Sequence, residues 1–219
     1  MRFLNPPLRC LALSISLISS VSAADLFSAP DFDGWELVAT PATDLHEVCK
    51  FLPDGVIAAK GLPVGFLSTT ASYENYRLHA EWRWSGKPGN GGVLVHISSG
   101  PKDRAWPLSM QIQTKNKNVG DLLPMAGATF AEPLTSAPGA SPLIKAHTAE
   151  DSEKPVGEWN TCDILCQGDI IEVTVNGVLQ NKITKAAPHT GHVGFQFEGT
   201  AFELRHVTLT PLAADPAAK

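Results

Sequence analysis

Three strand-like runs within residues 73–113 constrain this chain more than anything else in it. In the first, Leu78, Ala80, Trp82 and Trp84 share one parity and His79, Glu81 and Arg83 the other. In the second, Val93, Val95 and Ile97 alternate with Leu94 and His96; in the third, Met110 and Ile112 alternate with Gln111 and Gln113. Successive strand side chains point to opposite sides of a sheet. The apolar set must therefore face a core. His79, Glu81, Arg83, His96, Gln111 and Gln113 are left on the other face. That face is rich in planar hydrogen-bonding groups on long stems, which suit a ligand bearing many hydroxyls.

The same two-residue period recurs along the chain. Short strands are expected at Trp35–Val38, Gly55–Ala59, Gly65–Thr69, Trp159–Cys166, Ile170–Val175, Val178–Ile183, His192–Phe197 and Phe202–Leu209. Asn176-Gly177 between two of them is a strong hairpin signal, because both residues tolerate the left-handed backbone of a tight turn. Lys87 to Gly92 is expected to turn tightly between the first two runs of the opening region. Residues 40–55 resist assignment. From Thr114 to Pro155 the pattern breaks under scattered Gly and Pro; so long an irregular segment inside a compact domain is usually functional or mobile. No amphipathic helix and no fixed-period repeat is visible. Ten or so short strands separated by turn signals predict an all-β sandwich or barrel.

The N-terminus reads as a secretory leader. Arg2 and Arg9 precede or flank an apolar run, Cys10 to Val21, that is too short to span a bilayer, and Val21-Ser22-Ala23 is a small-residue cleavage site before Ala24. The expected organisation is a leader over 1–23, one β-sandwich domain over 24–212 and a frayed tail over 213–219. Removing the leader from 219 residues leaves 196, enough for one substantial core. It also removes two arginines, leaving 15 basic against 22 acidic residues, a formal charge of −7. An acidic chain without a basic cluster does not suit nucleic acid or an anionic membrane surface. Cys162 and Cys166 lie four apart on an expected strand, roughly 13 Å, too far for a disulfide. Cys49 could bridge one of them; otherwise all three are buried thiols.

Several chemistries are missing. There is no glycine-rich phosphate loop, no dinucleotide fingerprint and no Gly-x-Ser-x-Gly elbow. His46-Glu47-Val48-Cys49-Lys50 begins like a zinc-protease motif, but Lys50 stands where a second His is required. His189 and His192 are three apart with no third ligand nearby. Neither a metal nor a cofactor is expected. Two carboxylates stand out, Glu81 and Glu198, each on the polar side of an alternating strand. If those strands share a sheet, the two flank one groove, as an acid and a base must to cleave a glycosidic bond. Alternatively, Glu81 pairs with Arg83 or Arg205 and merely fixes the sheet face. Trp106 and Trp159, near strand starts, could stack on a sugar ring or cap the core.

Tyr76-Arg77-Leu78-His79-Ala80-Glu81-Trp82-Arg83 followed by Gly89-Asn90-Gly91-Gly92-Val93 resembles the 3-keto-disaccharide hydrolase-like family. So do Trp106-Pro107-Leu108-Ser109-Met110-Gln111-Ile112-Gln113, Gly157-Glu158-Trp159-Asn160, Val175-Asn176-Gly177, Gly194-Phe195-Gln196-Phe197-Glu198-Gly199 and the closing Phe202-Glu203-Leu204-Arg205-His206-Val207. The resemblance spans about residues 32–210. It implies a concanavalin-like jelly-roll sandwich of two curved antiparallel sheets, and secreted or periplasmic chemistry on sugars oxidised at carbon 3. A 3-keto group acidifies the adjacent C–H, so the glycosidic bond can break by elimination and water addition; that route needs a base and a group that polarises the ketone. The chain departs from the family pattern where a Glu-x-Gln pair becomes Gln111-x-Gln113, and where Asn-Ser-Gly becomes Asn90-Gly91-Gly92. His96 stands where arginine is frequent, and His206 where asparagine is common. An amide cannot serve as a carboxylate base, although Gln111 can still hold a hydroxyl.

The expected function is a secreted glycoside-cleaving enzyme of the keto-sugar type. Glu81 and Glu198 would be its acid/base pair, with His79 a proton carrier. Arg83, Asn90, His96, Gln111, Gln113, Gln196, Trp106 and Trp159 would bind the substrate. The partner is a carbohydrate, not nucleic acid, with no membrane insertion. Two alternatives are a non-catalytic carbohydrate-binding module using the same face and an interaction domain of an envelope complex. Convergent carboxylates would mark the enzyme; a flat face with exposed tryptophans, the module; an exposed apolar face, the interaction domain.

Overall fold

The computed structural model describes residues 22–27 and 31–213. The expected leader lies outside the described residues except for Ser22 and Ala23, as does the expected tail after Ala213. The described chain forms two antiparallel sheets. The larger pairs β12 (Val178–Ile183), β11 (Ile170–Val175), β10 (Asn160–Gln167), β6 (Tyr76–Trp84), β14 (Phe202–Pro211), β4 (Ile57–Ala59) and β3 (Cys49–Phe51) in that order, with β1 (Ala24–Asp25) beside β14. The smaller runs β2 (Trp35–Ala39), β5 (Gly65–Thr69), β13 (His192–Phe197), β7 (Gly92–Asp103), β8 (Trp106–Gln113) and β9 (Leu122–Met125). The one described helix, α1 (Leu45–Val48), is a single turn. Asp44 caps it by accepting from the His46 N–H at 2.8 Å.

The apolar parity of each strand builds one core between the sheets. Trp82 and Trp84 enter it from β6, Val93 and Val95 from β7, Met110 and Ile112 from β8, and Val193, Phe195 and Phe197 from β13. Large side chains taken out of water in this way contribute about 1.5–3 kcal/mol each. Cys49, Cys162 and Cys166 are buried free thiols. Burial raises all three, Cys49 and Cys166 to about 12.

Two expectations about the opening region need correcting. Residues 87–92, expected to turn tightly between the first two runs, do not join neighbouring strands. β6 pairs with β10 and β14, while β7 pairs with β13 and β8, so this turn carries the chain from one sheet to the other. Nor does alternation hold through β7. Opposite β13, His192 pairs with Ile97 and Gly194 with Leu94, so between these pairs two residues of β7, Val95 and His96, face one of β13, Val193. The extra residue is His96, in the left-handed region at φ 55°, and it forms a bulge. Past it the parity flips. Ile97 therefore joins Leu94 and Phe66 in a small apolar cluster on the sheet's other face.

Candidate functional site

The face of the smaller sheet turned away from the core forms the floor of a cleft of about 760 Å³. Met110 and Ile112 point into the core, so Gln111 and Gln113 on the same strand must point into the cleft. On β13, Val193, Phe195 and Phe197 dictate the same for Gln196. These three amides meet although β7 lies between β8 and β13. The Gln111 Nε2 group donates to Gln196 Oε1 at 2.9 Å and to Gln113 Oε1 at 3.3 Å, and approaches the Gly91 carbonyl at 3.5 Å. They meet over Gly92. A Cβ there would lie 2.6 Å from Gln111 Cγ and 2.8 Å from its Nε2, so the missing side chain is what lets the amides reach across the strand.

With every nearby acceptor gathered around Nε2, Gln111 Oε1 is left buried and without a partner, although the residue is only 1% exposed. Asn90 Oδ1, at the same cleft, is likewise buried and unpartnered. A buried acceptor without a donor is costly, about 1–3 kcal/mol. Both residues line the cleft, where a hydroxyl or N–H donor that reached these oxygens would relieve that cost. Trp106, Leu123, Pro124 and Met125 add an apolar wall, and residues 140–144 of the long irregular segment overhang the opening. That segment is tied down at its base. The Lys145 ammonium donates to Asn181 Oδ1, His147 Nδ1 lies 2.6 Å from Asp121, and Thr184 donates to Glu132.

Four charged residues line the cleft: Asp103, Arg104, Lys115 and Glu198. Glu198 follows β13 and is half-buried. Burial pushes its carboxyl above the usual range, against the opposing pull of Lys115 and Arg104. Glu198 therefore keeps its proton more readily than a free carboxyl, the property a general acid needs.

Asn90, Trp106, Gln111, Gln113, Gln196 and Glu198 thus share one cleft. The other five expected site residues are elsewhere. Glu81 lies on β6, in the larger sheet, and its side chain leaves that sheet on the side away from the core. It cannot converge with Glu198, because the whole sandwich separates them. Its partners are Arg205 Nη2 at 2.7 Å and His206 Nδ1 at 2.9 Å. A bulge in β14 explains the double contact. Arg205 pairs with Glu81 and Thr208 with His79; His206, at φ 49°, is the extra residue and projects to the same side as Arg205. Burial alone would raise Glu81, but the hydrogen bonds from His206 and Arg205 outweigh it and hold the carboxyl below the usual range. Of the two readings open to Glu81, the ion pair with Arg205 is the one the structure contains. Arg83 pairs with Glu203 instead, and His79 with Asp163 at 2.7 Å. That bond outweighs desolvation and raises His79. Trp159 has the Arg83 and Arg205 guanidinium carbons 4.6 and 4.2 Å from its ring centroid, so its ring is occupied by cations.

His96 belongs to neither outer face. It is fully buried, packs edge-on against the core Tyr76 with ring centroids 5.8 Å apart, and has Nδ1 3.2 Å from the Pro188 carbonyl. The bulge that re-phases β7 turned it inward. Sequence reasoning also missed Lys115, Arg104 and Asp103 as parts of the cleft, and Gly92 as the gap beside which its amides meet. The length of the irregular segment was the only signal for its overhang. Among the described residues no group of three or more His, Cys, Asp or Glu side chains is arranged to hold a metal ion.

Solved structures share this architecture. A putative glycosyl hydrolase from Parabacteroides distasonis superposes with a TM-score of 0.62 at 19% identity, covering 87% of this chain and 94% of its own. A carbohydrate binding module, CBM66, from Bacillus subtilis gives 0.55 at 12% identity over 81% and 95%. LamAcat from Zobellia galactanivorans gives 0.53 at 11% over 87% and 96%. At such identities the likeness is one of fold, a concanavalin-like sandwich. No curated protein matches the chain. The 3-keto-alpha-glucoside-1,2-lyase-like domain matches residues 22–210, a span that holds both sheets and every residue of the cleft, and the chain therefore belongs to that family.

Proposed function

We propose that the cleft binds a glycoside and cleaves it, with a 3-keto-glycoside as the substrate class and Glu198 as the proton donor. The observation that carries this reading is that residues bearing unpartnered buried acceptors, Gln111 Oε1 and Asn90 Oδ1, line one cleft with Glu198, a carboxyl that burial pushes up. Two sugar hydroxyls donate to the two acceptors. The Nε2 groups of Gln113 and Gln196 take no part in the bonds that link the amides and supply donors for a ketone or ring oxygen. Trp106 offers a flat apolar edge for a ring. Glu198 gives its proton to the departing glycosidic oxygen, and the carboxylate so formed takes the proton of the C–H beside the ketone, so that the glycosidic C–O bond breaks, a C=C bond forms and Glu198 ends protonated as it began.

The reading differs from a two-carboxylate glycosidase. The only other carboxyl lining the cleft among the described residues is Asp103, exposed and 3.6 Å from Arg104. An all-amide floor favours a second reading, a carbohydrate-binding module. Incubating the pure protein with 3-keto-glucosides and unoxidised disaccharides separates the two. Cleavage of a keto-glycoside, reduced about a hundredfold or more in Glu198→Gln, supports the enzyme. Binding without release of monosaccharide by wild type supports the module. We also propose that the chain is exported and cleaved after Ala23, on the strength of its N-terminal pattern. Protein recovered from periplasm or medium should begin at Ala24; recovery intact from Met1 would rule export processing out.

A further inference from the structure

We infer that the glycoside taken by the cleft carries an apolar, ring-sized aglycone on its anomeric oxygen instead of a second sugar; this rests on the reading of the cleft as a carbohydrate site. Directly opposed residues of an antiparallel pair share one face of the sheet. Gln111 on β8 is opposed by Leu123 on β9, and Ser109 by Met125. The face that carries the amides on β8 therefore continues onto β9 as leucine and methionine. Neighbouring strands lie about 4.8 Å apart, so the floor runs about 14 Å from Gln196 on β13, across β7 and β8, to Leu123 on β9. That length holds a sugar ring and one further ring. Over it the side chains change from polar to apolar.

The chain that closes the apolar side has almost no polar side chain to offer. Residues 122–128 read Leu-Leu-Pro-Met-Ala-Gly-Ala, and residues 142–144 Pro-Leu-Ile. Leu122 and Lys145 exchange two backbone hydrogen bonds of 2.9 Å in an antiparallel bridge. The bridge sets Ile144 and Leu143 alongside Leu123 and Pro124, and all four line the cleft. Leu123 and Met125 are 3% and 8% exposed, whereas Leu143, on the overhang, is 40% exposed. An apolar group laid against Leu143 removes that surface from water. The overhang brings one hydroxyl, Ser141, to the cleft; a second sugar ring has several. Lying here, such a ring would give up its bonds to water against side chains that cannot replace them. An apolar ring has no such bonds to lose.

The test is titration of the intact protein with 3-keto-glucosides and unoxidised glucosides in matched triads. The members of a triad share sugar and anomer and carry methyl, phenyl or glucosyl on the anomeric oxygen; KM is read where a ligand is cleaved. In at least one triad the phenyl member should be held about tenfold more tightly than both others. In Leu143→Ser and, independently, Leu143→Asn, the phenyl-to-methyl ratio should fall by about threefold or more. The native side chain is 40% exposed, and a thermal melt checks that each variant is folded. If the phenyl member exceeds both others in no triad that binds, the aglycone inference is overturned while the cleft remains a sugar site. A phenyl preference that is unchanged in both variants overturns the placement of the aglycone against β9 and the overhang. Binding of no member of any triad overturns this inference and the carbohydrate reading together.

Discussion

At the scale of the residue, what matters most in the cleft is a side chain that is absent. Gln111 and Gln196 sit on strands separated by β7, and their 2.9 Å bond crosses above Gly92. Gly92→Ala would set a methyl group 2.6 Å from Gln111 Cγ, far inside contact distance, and the amide would have to swing away. The carboxamide network and the aim of Oε1 would go with it. Sugar binding should weaken about tenfold, as expected for losing one buried hydrogen bond, while the melting temperature changes by only a few degrees. Ligand titration and thermal melts of Gly92→Ala check this; full-strength binding would show that the linked amides do not form the receptor.

Elements matter through their irregularities. Two bulges, at His96 in β7 and His206 in β14, each add one residue and change which side chains share a face. The bulge at His96 buries an imidazole. Desolvation lowers it to about 4, the nearby His189 adds to the effect, and the Pro188 carbonyl opposes it. Tyr76 packs against the ring from β6 and carries no charge there, because burial raises its hydroxyl. The folded state thus holds His96 neutral where the unfolded chain protonates it. The sign follows from that: the contribution is fully present above the ordinary histidine value of 6.5 and is lost as pH falls toward about 4. The loss is on the order of 3 kcal/mol across that window. Urea unfolding between these limits should show stability falling with acidity, and His96→Gln, which cannot titrate, should show a shallower fall. Equal slopes would exonerate His96.

On the scale of the whole molecule, the sandwich places the two carboxylates on opposite outer faces. Glu198 belongs to the cleft of the smaller sheet; Glu81 belongs to the outer face of the larger one, where Arg205 and His206 hold it. Glu81→Gln should therefore leave turnover or sugar binding unchanged. It should cost about 1 kcal/mol of stability, a drop of roughly 2–4 °C in a domain of this size. A differential scanning melt alongside the activity assay tests both halves. A large loss of turnover in Glu81→Gln would mean that this face, too, reaches the substrate.

The sequence by itself determined the class of fold and the parity of its strands. Alternation of Trp82 with Glu81, of Ile112 with Gln111 and of Phe195 with Gln196 was enough to say which side chains enter a core, because a strand's period of two is a local property of the backbone. The order and spacing of short motifs were enough to point to the family. Which polar faces would lie together was not legible. Glu81 and Gln111 look equivalent in the sequence, each opposite an apolar residue, yet β6 and β8 end in different sheets, because β6 takes its partners from far along the chain, as in Glu81 with Arg205, while β8 pairs with its neighbours β7 and β9. The bulge that turns His96 inward is decided in the same way, by its fit between β13 and Tyr76. So is the cleft, whose floor comes from β8 and β13 and whose overhang comes from residues 140–144. Parity is set by neighbours along the chain; sheet membership is set by partners across it, and only the folded structure brings those partners together.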